Sequence, residues 1–137
     1  MPQHFVCLTF DLDNASAAVA RDLTSPTMIS RGDFGVVATE RILRLLRKYG
    51  IQSTWFIPGH TIESYPRSVA TVFEAGHEIG NHGWTHRAPM TLGREAEEEE
   101  LARGNDAIKR LTGSVRCAAV YPLASNVRPP AVRRPEA

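Results

Sequence analysis

Two short apolar runs and one short strand-like segment alternate with three segments of helical periodicity, and this alternation constrains the fold more than any other feature of the chain. The apolar runs have the length and β-rich composition of buried strands, and each helical segment ends at a glycine, a common helix terminator. The predicted elements are a strand at 4–10, a helix at 36–49, a strand at 51–57, a helix at 61–75, a strand at 77–81 and a helix from 91 to about 111. Strands and helices in this order indicate a parallel α/β sheet or barrel.

Two segments lie outside this pattern. The polar stretch at 14–33, rich in Ala and Ser, is predicted to be a long loop, and long loops in compact domains are often functional. No helical or strand period is visible after about Tyr121, and the last residues are rich in Pro and Arg, so we expect a poorly ordered tail. The predicted organisation is one folded domain at 1–114, followed by a Pro/Arg-rich tail at 115–137.

Composition excludes several functional classes. The chain of 137 residues is long enough for one domain, and no stretch of about 18 apolar residues predicts a membrane span. The formal net charge is +1, so no general electrostatic attraction to nucleic acid is expected. Because the start has neither a basic region nor a long apolar region, we expect no secretory signal and a cytoplasmic protein. Nothing in the sequence indicates the oligomeric state.

The segment from Thr9 to Asn14 reads T-F-D-L-D-N and places two carboxylates where the first predicted strand ends. Side chains two residues apart on a strand project to the same face, so Asp11 and Asp13 can both face one site. In parallel α/β folds the carboxyl ends of the strands carry the functional site. A D-x-D pair is equally typical of a solvated loop with an Asx turn, so on this evidence both interpretations stay open.

A second candidate segment, from His77 to His86, reads H-E-I-G-N-H-G-W-T-H. His82 and His86 are four residues apart, a spacing that places both imidazoles on one side of a helical turn, and such pairs bind divalent metals. The zinc-protease motif H-E-x-x-H is excluded, because three residues rather than two separate Glu78 from His82. The alternative is that these histidines belong to the surface or the core without a ligand.

Together, the two segments favour one metal ion held by Asp13, His82 and His86. One carboxylate and two imidazoles leave coordination positions open for water and a substrate oxygen. Asp11, beside the metal, could then accept a proton from bound water.

A run of four glutamates, Glu97 to Glu100, lies near the start of the last predicted helix. Negative charge is favourable there because of the helix dipole. We interpret the run as a solvated face rather than a binding patch.

These motifs, T-F-D-x-D, the T-W-F-I-P-G of the second strand and H-E-I-G-N-H-G-W-T-H, resemble the polysaccharide deacetylase family, the NodB homology domain. The segment S-R-G-D-F-G, from Ser30 to Gly35, resembles the branch whose first motif is D-x-D rather than D-D-G. That branch includes peptidoglycan deacetylase-like proteins and relatives that act on allantoin or cyclic imides. The resemblance covers about 5–113.

The resemblance implies a deformed (β/α) barrel, of which this chain has the amino-terminal half, and hydrolysis of a non-peptide N-acyl bond. The substrate would be an N-acetylated sugar polymer or, alternatively, a small amide or ureide. In the matching positions Asp11 is the general base, and Asp13, His82 and His86 bind a divalent metal, usually zinc, with cobalt or nickel as alternatives. Arg31 would contact substrate, unless it is only a surface arginine in a turn.

The sequence departs from the family after Gly113. The third family motif, R-x-P-x-W or similar, is not found where the chain reads V-R-C-A-A-V-Y-P-L-A-S, and no histidine follows His86 to act as general acid. We therefore expect a truncated or frameshifted sequence. Two hypotheses remain, a metal-dependent N-deacetylase or amidohydrolase represented by its amino-terminal half, and a non-catalytic metal-binding fragment or pseudo-enzyme; the departures favour the second for this polypeptide.

Overall fold

The fold is known from a computed structural model, which describes His4 and residues 6–113. The predicted tail at 115–137 lies outside the described residues. The strands are β1 (Thr9–Asp11), β2 (Thr54–Ile57) and β3 (Glu78–Asn81). The helices are α1 (Ser16–Val19), α2 (Pro26–Arg31), α3 (Phe34–Tyr49), α4 (Gly59–Ser64), α5 (Pro66–Glu74) and α6 (Arg94–Thr112), with a 3₁₀ turn at Pro89–Thr91.

The described strands form one parallel sheet in the order β1-β2-β3. The register places Phe10 beside Trp55, and Trp55 beside Ile79. The parallel α/β sheet predicted from the alternation of strands and helices is therefore confirmed. Because the strands are parallel, their carboxyl ends meet at one edge of the sheet, and the segments that follow Asp11, Ile57 and Asn81 converge there.

The core lies between the sheet and the helices that cover it. Trp55 and Ile57 of β2 are fully buried, and α5 contributes Val69 and Val72 to the same cluster. On the other flank, Ile108 of α6 packs into it. Burial of these side chains removes apolar surface from water, which is the main favourable contribution to folding.

Several elements differ from the sequence prediction. The strands predicted at 4–10 and 51–57 are shorter, at Thr9–Asp11 and Thr54–Ile57, because strand pairing is limited to these residues. The segment at 14–33 is not one long loop, because it contains the short helices α1 and α2. The helix predicted at 61–75 is interrupted at Tyr65 (φ −128°, ψ 51°), because proline disfavours helical geometry in the residue before it. The last helix begins at Arg94 rather than near Thr91, which lies in the 3₁₀ turn.

Among the described helices, none combines the length and the apolar character that a membrane span requires.

Candidate metal centre

The two carboxylates lie where β1 ends. The backbone N–H of Leu12 donates to the carbonyl of Phe56 at 2.9 Å, so extended pairing continues one residue past the strand. Leu12 is buried in the core, whereas the side chains of Asp11 and Asp13 are 55% and 28% exposed. The strand alternation predicted for the D-x-D segment therefore operates here, and both acids lie on the site side of the sheet.

The two histidines are brought together by a loop, and the helical turn predicted for them is wrong. His82 follows β3 directly and is almost fully buried. The chain then turns through left-handed backbone at Gly83 (φ 76°) and at His86 itself (φ 65°). Their rings come within 4.9 Å, centroid to centroid, at an interplanar angle of 71°.

Asp13 and the two histidines converge. The His86 Nε2 atom lies 3.2 Å from Asp13 Oδ2, and the His82 Nε2 atom lies 3.7 Å from Asp13 Oδ1. One ligand atom from each of the three residues falls within 4.8 Å of the others. In a tetrahedral zinc site with bonds near 2.1 Å, ligand atoms are separated by about 3.4 Å. The observed separations and the chemistry of the donors fit a divalent metal ion.

The surroundings of Asp13 support the same interpretation. Its Oδ1 atom is buried and accepts no hydrogen bond from the part of the chain that the structure describes. A buried carboxylate oxygen without a donor is costly, and a bound cation would satisfy it.

Asp11 lies beside this cluster and is not one of its three members. Its Oδ2 atom is 3.9 Å from His82 Nε2, and its side chain is the most exposed of the four. The position allows it to contact water or substrate at the site.

Arg31 is the last residue of α2, and it lines a cavity of about 240 Å³ together with Asp11 and Asp13. Arg31, which the family resemblance places in contact with substrate, therefore lies near the two carboxylates of the site.

Glu100 is not part of the solvated face predicted for the run of four glutamates, and its role was not predicted from the sequence. The Glu98 and Glu99 carboxylates of the same run form exposed i,i+4 ion pairs with Arg94 and Arg103. Glu100 instead accepts hydrogen bonds from the loop between the two histidines. The signal available in the sequence is helical spacing, because Glu100 lies one turn before Gly104, on the buried face of α6.

A buried asparagine connects the same loop to α6. The Asn81 side chain donates to the carbonyl of Leu101 at 2.9 Å and to Asn105 Oδ1 at 2.8 Å. Its own Oδ1 accepts the backbone N–H of Gly83 at 2.8 Å. Gly104 makes this arrangement possible, because a Cβ atom there would overlap Asn81 Oδ1 and lie 2.9 Å from the Gly83 carbonyl.

A chain of hydrogen bonds holds the backbone of Asp13. Thr61 Oγ1 donates to the Asp13 carbonyl at 2.6 Å. Because that bond uses the only Thr61 hydroxyl proton, the 2.7 Å contact with Ser16 requires Ser16 Oγ to donate to Thr61. His60 Nδ1, 3.0 Å from Ser16 Oγ, must then donate to it. These hydrogen bonds are therefore all donated in one direction, from His60 through Ser16 and Thr61 to Asp13.

Another buried histidine, His77, lies at the opposite end of the sheet, just before β3. Its Nδ1 accepts the backbone N–H of Ser53 at 3.3 Å. Burial lowers the pKa of His77 below its usual value, because desolvation penalises the charged ring.

A carboxylate and two imidazoles at the carboxyl edge of a parallel sheet place the chain in the class of α/β proteins with a candidate metal centre. The family model for polysaccharide deacetylases matches residues 1–130, and the chain belongs to this family. The match extends past Gly113; the region expected to lack the third motif lies outside the described residues.

Relatives of known sequence and structure agree with this membership. A peptidoglycan deacetylase from Helicobacter pylori is 41% identical over 99 residues, which are 72% of this chain and 34% of that protein. A candidate polysaccharide deacetylase from Mycobacterium smegmatis superposes with a TM-score of 0.68 at 29% identity, covering 79% of this chain and 39% of that one. A family 4 carbohydrate esterase from Bacillus anthracis gives 0.62 at 26% identity, covering 85% and 47%.

The chain spans about a third of the length of the curated relatives it matches. The described sheet and helices correspond to the amino-terminal part of a deformed (β/α) barrel, so the predicted fold class is confirmed.

Proposed function

We propose that this chain supplies the metal centre of a hydrolase that removes N-acyl groups, typically N-acetyl, from peptidoglycan or a similar N-acetylated sugar polymer. The observation that carries the proposal is the convergence of Asp13, His82 and His86, with Asp11 beside them. The family and the peptidoglycan deacetylase of Helicobacter pylori support the substrate class. The relatives reported above give no support to the alternative of allantoin or cyclic imides.

The donor set suits zinc, with cobalt or nickel as alternatives, because all three metals accept imidazole and carboxylate ligands. A divalent cation bound there would polarise the acyl oxygen and make a bound water more acidic. His82 is buried and Asp13 and His86 are partly buried, so the reduced dielectric of the site strengthens the attraction between the carboxylate and a cation.

Asp11 is proposed as the general base. Its carboxylate lies close to the cluster and remains accessible. It can therefore accept the proton of an attacking water that lies within hydrogen-bond distance of the carboxylate. Arg31, on the cavity that both acids share, is proposed to contact the substrate beside the reacting bond.

A second candidate function is metal binding without turnover. It rests on the ligand set alone, because Asp13, His82 and His86 can hold a cation whether or not another group protonates the leaving amine. General acid catalysis of such a step is typically worth about a hundredfold or more in rate.

The test combines metal titration with an assay of acetate release from N-acetylated peptidoglycan fragments. We expect one zinc ion per chain, loss of binding in Asp13→Ala, and retained binding with lost turnover in Asp11→Asn. Asp22→Asn, at an exposed position of left-handed backbone away from the site, is the matched control and should behave as wild type.

Each alternative has a distinct outcome. Zinc binding by the wild type without acetate release would favour the second candidate. Equal turnover in Asp11→Asn would remove Asp11 from the mechanism, and a wild-type chain that binds no divalent metal would refute both functions.

A further inference from the structure

Glu100 makes three hydrogen bonds to the loop that joins the two histidines. Its Oε2 atom accepts the backbone N–H groups of Trp84 at 2.7 Å and of Thr85 at 2.8 Å. Its Oε1 atom accepts the Thr85 hydroxyl at 2.7 Å. A carboxylate that accepts several donors forms strong, charge-assisted bonds, so this one residue holds two consecutive peptide groups in place.

The loop needs such support because of its backbone conformation. His86 has φ 65°, in the left-handed region that a residue with a Cβ atom adopts only when its surroundings favour it. The backbone N–H groups of Trp84 and Thr85, just before His86, point toward α6, where the Glu100 carboxylate accepts them. On the other side of the loop, the carbonyls of Gly83 and Trp84 accept backbone N–H groups from Gly59 and His60, both at 2.9 Å.

The loop therefore lies between two rigid elements. The start of α4 donates to its carbonyls, and α6, through Glu100, accepts its N–H groups. Trp84 fills the space between them, because its ring lies against Gly59 on one side and 4.1 Å from the Arg103 guanidinium on the other. Removal of one side of this arrangement would leave the backbone before His86 free to rotate.

We propose that Glu100 is a positioning residue for the metal centre, and that its carboxylate sets the loop conformation that brings His86 Nε2 to Asp13. This inference rests on the proposed metal-binding function and adds a residue to it. Glu100 acts through the loop, since its three bonds all go to Trp84 and Thr85. The expected consequence of losing it is a weaker metal site.

Two substitutions separate the shape of Glu100 from its charge. In Glu100→Gln, the amide oxygen can accept both backbone N–H groups, and the amide nitrogen can donate to the Thr85 hydroxyl, which is able to accept. The loop contacts are then retained without the charge. In Glu100→Ala, every contact is lost.

The experiment measures zinc and cobalt affinity of the metal-free protein by calorimetry, together with the visible spectrum of the cobalt form. Loss of a residue that orients a metal ligand typically weakens binding by about 10- to 100-fold, and we expect this for Glu100→Ala. Glu100→Gln should recover most of the affinity. Glu98→Ala, which removes a nearby exposed glutamate and its ion pair with Arg94, is the matched control and should bind as wild type.

A double-mutant cycle with His86→Ala distinguishes positioning from general destabilisation. If Glu100 acts through His86, then Glu100→Ala should cause little further loss of affinity once His86 has been removed. The cobalt spectrum of Glu100→Ala should also change toward that of His86→Ala. Should Glu100→Ala fail to fold, Thr85→Val, which removes one of the three bonds, provides a milder test in the same direction.

The results that would overturn the inference are distinct from those that concern the proposed function. Wild-type affinity and spectrum in folded Glu100→Ala, or an undiminished loss in the His86→Ala background, would show that Glu100 does not position the ligand. A wild-type chain that binds no metal would refute the proposed function and this inference together.

Discussion

A single methyl group added at Gly104 should disturb the packing that supports the site. On helix propensity alone, Gly104→Ala should stabilise α6 by about 1 kcal/mol. The added Cβ atom, however, would overlap the Asn81 amide oxygen and lie 2.9 Å from the carbonyl of Gly83. Both neighbours are held in place, Asn81 by its hydrogen bonds to α6 and Gly83 by its hydrogen bond to Asn81.

The unfavourable contributions are larger than the gain. Overpacking in a dense interior costs about 1–3 kcal/mol. Displacement of Asn81 would also break a hydrogen bond of a buried polar group, which costs about 1–3 kcal/mol more. After the propensity gain is subtracted, Gly104→Ala should lower the free energy of unfolding by about 1–5 kcal/mol, and Tm by at least about 4 °C.

The assay is urea and thermal unfolding followed by circular dichroism, with wild type and Asp106→Ala measured in parallel. Asp106 is exposed on the same helix, so its substitution contributes helix propensity without steric overlap. We expect Asp106→Ala to be as stable as wild type or slightly more stable. A Gly104→Ala protein that is at least as stable as wild type would show that Asn81 moves aside easily and that this packing argument is mistaken.

Three other substitutions test separate parts of the molecule. Because burial lowers the pKa of His77, the unfolded chain binds its proton first, so stability should fall as the pH drops below about 6.5. His77→Gln should flatten that dependence, measured by urea unfolding at several pH values; an unchanged slope would contradict the assignment. Thr61→Val removes one of the two donors to the Asp13 carbonyl, which keeps the backbone N–H of Ser16, and it leaves the buried Ser16 hydroxyl without its acceptor, so it should cost about 1–3 kcal/mol. Thr71→Val, at an exposed hydroxyl, should cost much less, and equal losses would argue against the proposed series of hydrogen bonds. Zinc at a hundredfold excess over its dissociation constant should stabilise wild type by about 2.7 kcal/mol, and the same zinc concentration should stabilise His86→Ala far less. Identical Tm increases would place the metal elsewhere.

The fold could be predicted from the sequence because its evidence is local. The first two strands lie in short apolar runs, the third is a short strand-like segment, each main helix has its own periodicity, and their alternation indicates a parallel sheet. The short helices α1 and α2 were missed because four and six residues carry no detectable period. The break at Tyr65 had a visible cause in Pro66, but that proline is equally compatible with the first turn of an uninterrupted helix.

The candidate site was only partly predictable, because sequence evidence is local. The residue types and their spacing pointed to Asp13, His82 and His86, and the structure brings these side chains together. The geometry that achieves this depends on contacts distant in sequence, because Glu100 reaches the loop from 15 residues away and Thr61 reaches Asp13 from 48. No local pattern encodes such partners.

The direction of the hydrogen bonds from His60 to Asp13 fixes the tautomer of an imidazole that does not touch the site. Since Nδ1 carries the proton donated to Ser16, the neutral ring has its lone pair on Nε2. The nitrogen chemical shifts of the His60 ring would report this tautomer directly.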